Sequence, residues 1–208
     1  MTSSVDELVD PRSRRVAIAA LLAGATLLGT TLAVDDGSAA FYAAGLSMAG
    51  VWITAYALAP SRARPARKRS ADAAIGVIVG AAMFGVFVAG AWALTRVDVL
   101  GNAVDELLDT ADSSRTGWVL ALAGINAIAE ELFFRGTLID AVKRRFAFVA
   151  GLVPYVVTTF PSRNIALITA AVVMGTVLTA LRVRTGALTA PVVTHLTWSA
   201  LMIVLFPR

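Results

Sequence analysis

Apolar residues gather in seven runs, 16–34, 39–60, 73–95, 118–141, 146–160, 165–181 and 187–206, separated by short polar breaks. A helix needs roughly 20 apolar residues to cross a bilayer, and most of the runs reach that length. The pattern predicts an all-α, polytopic membrane bundle of about seven spans. The first run follows Arg12, Arg14 and Arg15 but, at 19 residues, exceeds the roughly 7–15 of a signal-peptide core, so it is expected to be a retained span. The fifth run is short and stops at Pro161, whose ring nitrogen has no hydrogen to donate; it reads either as a span or as a re-entrant pair with the sixth. Between the third and fourth runs, Val97, Leu100, Val104, Leu107, Leu108 and Ala111 recur at steps of three and four among five acidic residues. That spacing describes either an amphipathic helix lying in the interface or a solvated loop. The expected organisation is a tail over 1–15, three spans plus the interfacial segment over 16–117, and a four-span core over 118–208.

Composition strengthens the membrane reading: 58% of residues are hydrophobic, 15% are charged, and the mean hydropathy is +0.76. Charge then orients it. If the spans alternate, 13 of the 18 Lys and Arg fall on one side, at 1–15, 61–70, 142–145 and 182–186. Arg96, Arg115, Arg163 and Arg208 fall on the other, and Arg135 lies inside a span. The positive-inside rule then places the amino terminus in the cytoplasm and the carboxyl terminus outside, in a bacterial-type plasma membrane. The net charge of +4 therefore reads as a topology signal facing membrane lipid, not as a nucleic-acid surface. The absence of cysteine excludes disulfides, thiolate nucleophiles, zinc–thiolate sites and iron–sulfur clusters. A single histidine, His195, argues against a zinc protease, which takes three protein ligands; a divalent ion would have to rely on Glu130 and His195.

The chemistry concentrates at Ala129-Glu130-Glu131-Leu132-Phe133-Phe134-Arg135-Gly136, three ionisable groups in an apolar run. Each such group costs at least about 2.5–3.5 kcal/mol to insert, and in membrane proteins such residues mark functional sites. Glu131 and Arg135, four apart, are expected to pair on one helix face, whereas Glu130, about 100° away, is left as a free carboxylate suited to general acid–base work. The structural alternative makes both glutamates packing residues that tie the fourth span to a neighbour through Arg135 and Asn126. His195 lies in the last span, with Ser199 one turn on and Trp198 adjacent. Asn164, just past the fifth run, reads as a cap for the sixth helix.

Glu130-Glu131-x-x-x-Arg135-Gly136, a polar position some thirty residues later, and Leu188-Thr-Ala-Pro-Val-Val-Thr-His195 together resemble the CPBP family of intramembrane proteases. That family is related to the type II CAAX prenyl endopeptidases and to the bacteriocin-immunity (Abi-type) proteins. The resemblance covers 118–206. It implies Glu130 as the base that activates water, Glu131 and Arg135 as its supporting pair, and His195 as the holder of the substrate carbonyl or oxyanion. It also implies a membrane-embedded or lipidated peptide as substrate. The chain departs from the family pattern twice: Phe160-Pro-Ser-Arg-Asn164 carries Asn where F-x-x-x-H has His, and His195-Leu-Thr-Trp-Ser199 carries Ser where H-x-x-x-N/D has Asn or Asp. Asn holds a water but takes no proton from it, while Ser199 still offers one hydrogen bond to an oxyanion. Two rivals stand beside the protease. One is a catalytically silent relative serving as a binding, scaffold or immunity protein. The other is a small transporter with Glu130, Glu131 and His195 as a proton relay, against which stands the lack of repeat symmetry.

Overall fold

The structure is a computed structural model that describes residues 10–35, 37–59, 63, 69–94 and 116–205. The proposed interfacial segment at 96–117 falls almost wholly outside them, as do most of the 1–15 tail and Arg62, Arg64, Arg67 and Lys68. Among the described residues every regular element is a helix: α1 (Pro11–Thr31), α2 (Ala39–Leu58), α3 (Arg69–Leu94), α4 (Thr116–Glu130), α5 (Ala147–Thr159), α6 (Ile165–Thr185) and α7 (Thr189–Leu205). A π-helix over Glu131–Leu138 continues α4, and 3₁₀ turns at Arg144–Phe146 and Phe160–Ser162 flank α5.

The seven helices match the seven apolar runs, and local chemistry moves some of their ends. α1 begins five residues before the run at Val16, because the Asp10 carboxylate accepts from the amides of Arg12 and Ser13 and Pro11 occupies the first turn. α6 continues past Leu181 to Thr185, where Gly186 at φ 72° supplies the left-handed cap. Arg182, read from sequence as a loop charge, is therefore a buried helix residue. Four helical stretches, Ala39–Leu58, Arg69–Trp92, Gly117–Leu138 and Ile165–Thr185, are long and apolar enough to cross a membrane, and Thr189–Leu205 is a shorter apolar helix. α5 has 13 residues, about 20 Å at 1.5 Å each, which is short of the roughly 30 Å hydrocarbon core.

Helix directions are fixed by close contacts. Gly45 meets Leu122, Trp52 stacks on Phe133, and the Thr137 hydroxyl donates to the Ala59 carbonyl at 3.0 Å, so α2 and α4 run parallel. α3 and α7 also run parallel: Gly76 lies against Ala190 and Val193, Gly80 against Thr194 and Thr197, and Phe87 against Trp198. A Cβ on Gly80 would stand 2.7 Å from the Thr194 carbonyl oxygen, so these two glycines, four apart, permit the backbone approach typical of membrane helix pairs. α5 and α6 are antiparallel, with Gly151 at Thr179 and Gly175 at Tyr155. At the centre Trp52, 1% exposed, stacks on Phe133 with ring centroids 4.3 Å apart. The row continues through Phe134 to Tyr155 at 5.0 and 5.1 Å. Gly24 of α1 lies directly on the Trp52 indole, where even one methyl group would overlap the ring.

Candidate active site

The change from α to π hydrogen bonding begins at Glu131, within the acidic pair. A π segment holds one more residue per hydrogen-bonded loop than an α-helix and occurs mostly at functional sites. Here it is pinned from outside. The Arg182 Nε donates to the Arg135 carbonyl at 2.9 Å, Arg182 also reaches Asp140 at 3.4 Å, and Thr137 is tied to Ala59.

Glu131 and Arg135 have no solvent exposure, and Glu131 Oε1 accepts from Arg135 Nη1 at 3.0 Å. The same oxygen stands 3.0 Å from Nδ1 of His195. One carboxylate oxygen thus joins two basic side chains from two helices. The Arg135 guanidinium also lies 4.3 Å over the Tyr155 ring, a cation–π contact, while its Nε and Nη2 have no hydrogen-bond partner among the described residues.

Glu130 lies outside this pair. It is half-buried and faces a cavity of about 190 Å³ whose polar wall includes His195, Tyr155, Thr158 and Thr159. Tyr155, 8% exposed, shares this wall with Glu130. The rest of the wall is apolar, with Leu28, Met48, Leu167 and Met174 contributed by three helices. Because Nδ1 of His195 is turned to Glu131, Nε2 is the ring nitrogen left for the cavity.

Of the six site residues named from sequence, Glu130, Glu131, Arg135 and His195 converge. Asn164 and Ser199 do not line the cavity. Asn164 Oδ1 accepts from the Leu167 amide at 3.0 Å and caps α6, in a turn where Arg163 adopts φ 53°. Ser199 is half-buried one turn beyond His195. Asn126 does not bridge helices through its amide nitrogen, which donates to Leu122 of its own helix. Sequence reasoning passed over Tyr155, named Trp198 only as a neighbour of His195 and read Arg182 as a loop charge; Tyr155 and Trp198 both line the cavity. The available signal was a polar-tipped aromatic within an apolar span, a residue type that needs a partner when buried.

Among the described residues no three His, Cys, Asp or Glu side chains cluster as a metal site. Glu130 and His195 line the cavity, whereas Glu131, whose Oε2 has no hydrogen-bond partner among the described residues, does not.

No curated protein and no solved structure matches the chain. The family model described as Type II CAAX prenyl endopeptidase Rce1-like matches residues 112–201, a stretch that holds all six candidate residues and ends within α7. Over residues 112–201 this membrane protein is thus similar to the Rce1-like type II CAAX prenyl endopeptidases.

Proposed function

We propose that this chain is an intramembrane endopeptidase in which Glu130 activates water against a peptide bond of a membrane-embedded or lipidated substrate. The observation that carries the reading is the division of labour between adjacent glutamates. Glu131 is engaged by Arg135 and His195, while Glu130 faces the same cavity as His195 outside that pair. In the proposed reaction Glu130 takes a proton from water as the oxygen attacks the carbonyl carbon. His195 donates Nδ1–H to Glu131 and, protonated on Nε2, donates a hydrogen bond to the oxyanion. Glu130 then returns its proton to the leaving nitrogen as the C–N bond breaks. No metal enters these steps. The apolar wall strengthens each electrostatic contact by excluding water, and it favours an apolar substrate segment delivered from lipid.

A second reading has its own observation. Asn164, at the position where the family pattern has its second acid–base residue, is used as a helix cap, which favours a silent relative that binds a peptide without cleaving it. One experiment separates the two. The full chain in detergent is offered quenched-fluorescence transmembrane peptides, alongside Glu130→Gln and His195→Ala. The endopeptidase reading expects cleavage by the wild type and a fall of about 10²–10⁴-fold in Glu130→Gln at unchanged thermal stability. Binding without cleavage in all three proteins establishes the silent relative, and Glu130-dependent proton uptake in liposomes would overturn both.

A further inference from the structure

We propose that Tyr155 is a positioning residue for Glu130, supplying through its phenol the partner that the second motif, with Asn164, does not. The inference rests on the endopeptidase reading. The Asn164 acceptor oxygen is engaged by the Leu167 amide, and Asn164 does not line the cavity that Glu130 faces. Tyr155, Thr158 and Thr159 are the polar residues of α5 in the cavity wall. Both threonine hydroxyls donate to carbonyls of their own helix, Thr158 to Tyr155 at 2.8 Å and Thr159 to Val156 at 2.7 Å. That leaves the Tyr155 phenol as the polar group of α5 that shares the cavity wall with Glu130.

The ring is held firmly enough to fix that hydroxyl. It is 8% exposed, the Phe134 ring meets it edge-on at 82°, and the Arg135 guanidinium covers it at 4.3 Å. Gly175 leaves the space it occupies, since a Cβ there would come within 3.1 Å of Tyr155 Cδ1. Arg135 thereby serves both glutamates, Glu131 directly and Glu130 through the ring that presents the phenol. A phenol donates one hydrogen bond, so one carboxylate oxygen is held and the other stays open to water.

The test is Tyr155→Phe in the full detergent-solubilised chain, which keeps the ring, the cation–π contact and the packing. With the transmembrane peptide that the wild type cleaves fastest, kcat is expected to fall about 10- to 100-fold at unchanged KM, the mark of an interaction made in the transition state. The Glu130 carboxylate band, identified by infrared difference against Glu130→Gln, is expected to shift at unchanged melting temperature. Wild-type kcat in Tyr155→Phe, or an unmoved band, overturns the role of Tyr155 and leaves the endopeptidase reading standing. An inert wild type overturns that reading first and the role of Tyr155 with it.

Discussion

Replacing Glu131 by Gln keeps the shape of the side chain and removes its charge, and the surroundings of Arg135 determine the cost. Arg135 is fully buried, and among the described residues the only hydrogen bond of its guanidinium goes to Glu131, because Nε and Nη2 have no partner. Removing one member of such a pair strands the other charge, a loss of about 3–5 kcal/mol. The Tyr155 face under Arg135 offsets part of this, since a desolvated cation–π contact contributes about 2 kcal/mol and survives the change. The net expectation is about 1–3 kcal/mol, or a fall of roughly 2–12 °C in melting temperature for a chain of this size. The decisive measurement is the double variant Glu131→Gln/Arg135→Met. Removing the stranded charge is expected to recover most of the loss, so the two substitutions are strongly non-additive in a thermal-unfolding cycle in detergent. Glu131→Gln is also expected to lower cleavage, because Nδ1 of His195 loses its anionic partner. A melting temperature within about 1 °C of wild type, or additivity in the cycle, would refute the view that one carboxylate oxygen ties Arg135 and His195 together.

Three further substitutions probe the frame around the site. Arg182→Met strands the Arg135 carbonyl it now satisfies, so a loss of about 1–3 kcal/mol is expected, with faster amide exchange across Glu131–Leu138 than in the other helices; uniform exchange would contradict it. Asn164→Ala removes the α6 cap, lowering stability by about 1 kcal/mol at unchanged kcat, whereas a tenfold drop in kcat with stability intact would give Asn164 a place in the chemistry. Gly80→Leu drives a side chain into the Thr194 carbonyl next to His195, so both stability, by about 1–3 kcal/mol, and cleavage are expected to fall; normal activity would refute the close α3–α7 approach.

The helices were legible in the sequence because the quantity that decides them is written locally. A stretch such as 165–181 is free of charged residues and mostly apolar, and lipid offers no alternative partner for its backbone, so it must be a helix. Ends were less legible where a single residue governs them. Asp10 draws α1 outward through two amide bonds, and Gly186 lets α6 run on past Arg182. The second shift changes meaning as well as length: a charge counted as a cytoplasmic loop signal is buried against the π segment.

The Glu131–Arg135 pair was legible for the same local reason, since both partners lie on one helix four residues apart. The partner of His195 was not. Helical spacing says which residues share a face, but it does not say which oxygen of two adjacent glutamates meets a ring arriving from a helix more than sixty residues later. That depends on the register of α7 against the rest of the bundle, and the register rests on contacts that carry no chemical signature. Gly76 and Gly80 read in sequence as two more small residues in an apolar run; in the fold they let the α7 backbone sit against α3 and so set the height of the neighbouring His195. The π segment compounds the difficulty, because it alters the face that each residue after Glu130 presents, and the residues that pin it, Arg182 and Ala59, are distant in sequence. Tyr155 is the same case in a third helix: its value to Glu130 comes from Arg135, Phe134 and Gly175 clamping the ring, three contacts from two other elements. The motif residues thus name the chemistry, while the glycines, the buried arginine and the clamped tyrosine determine which motif atoms face one another.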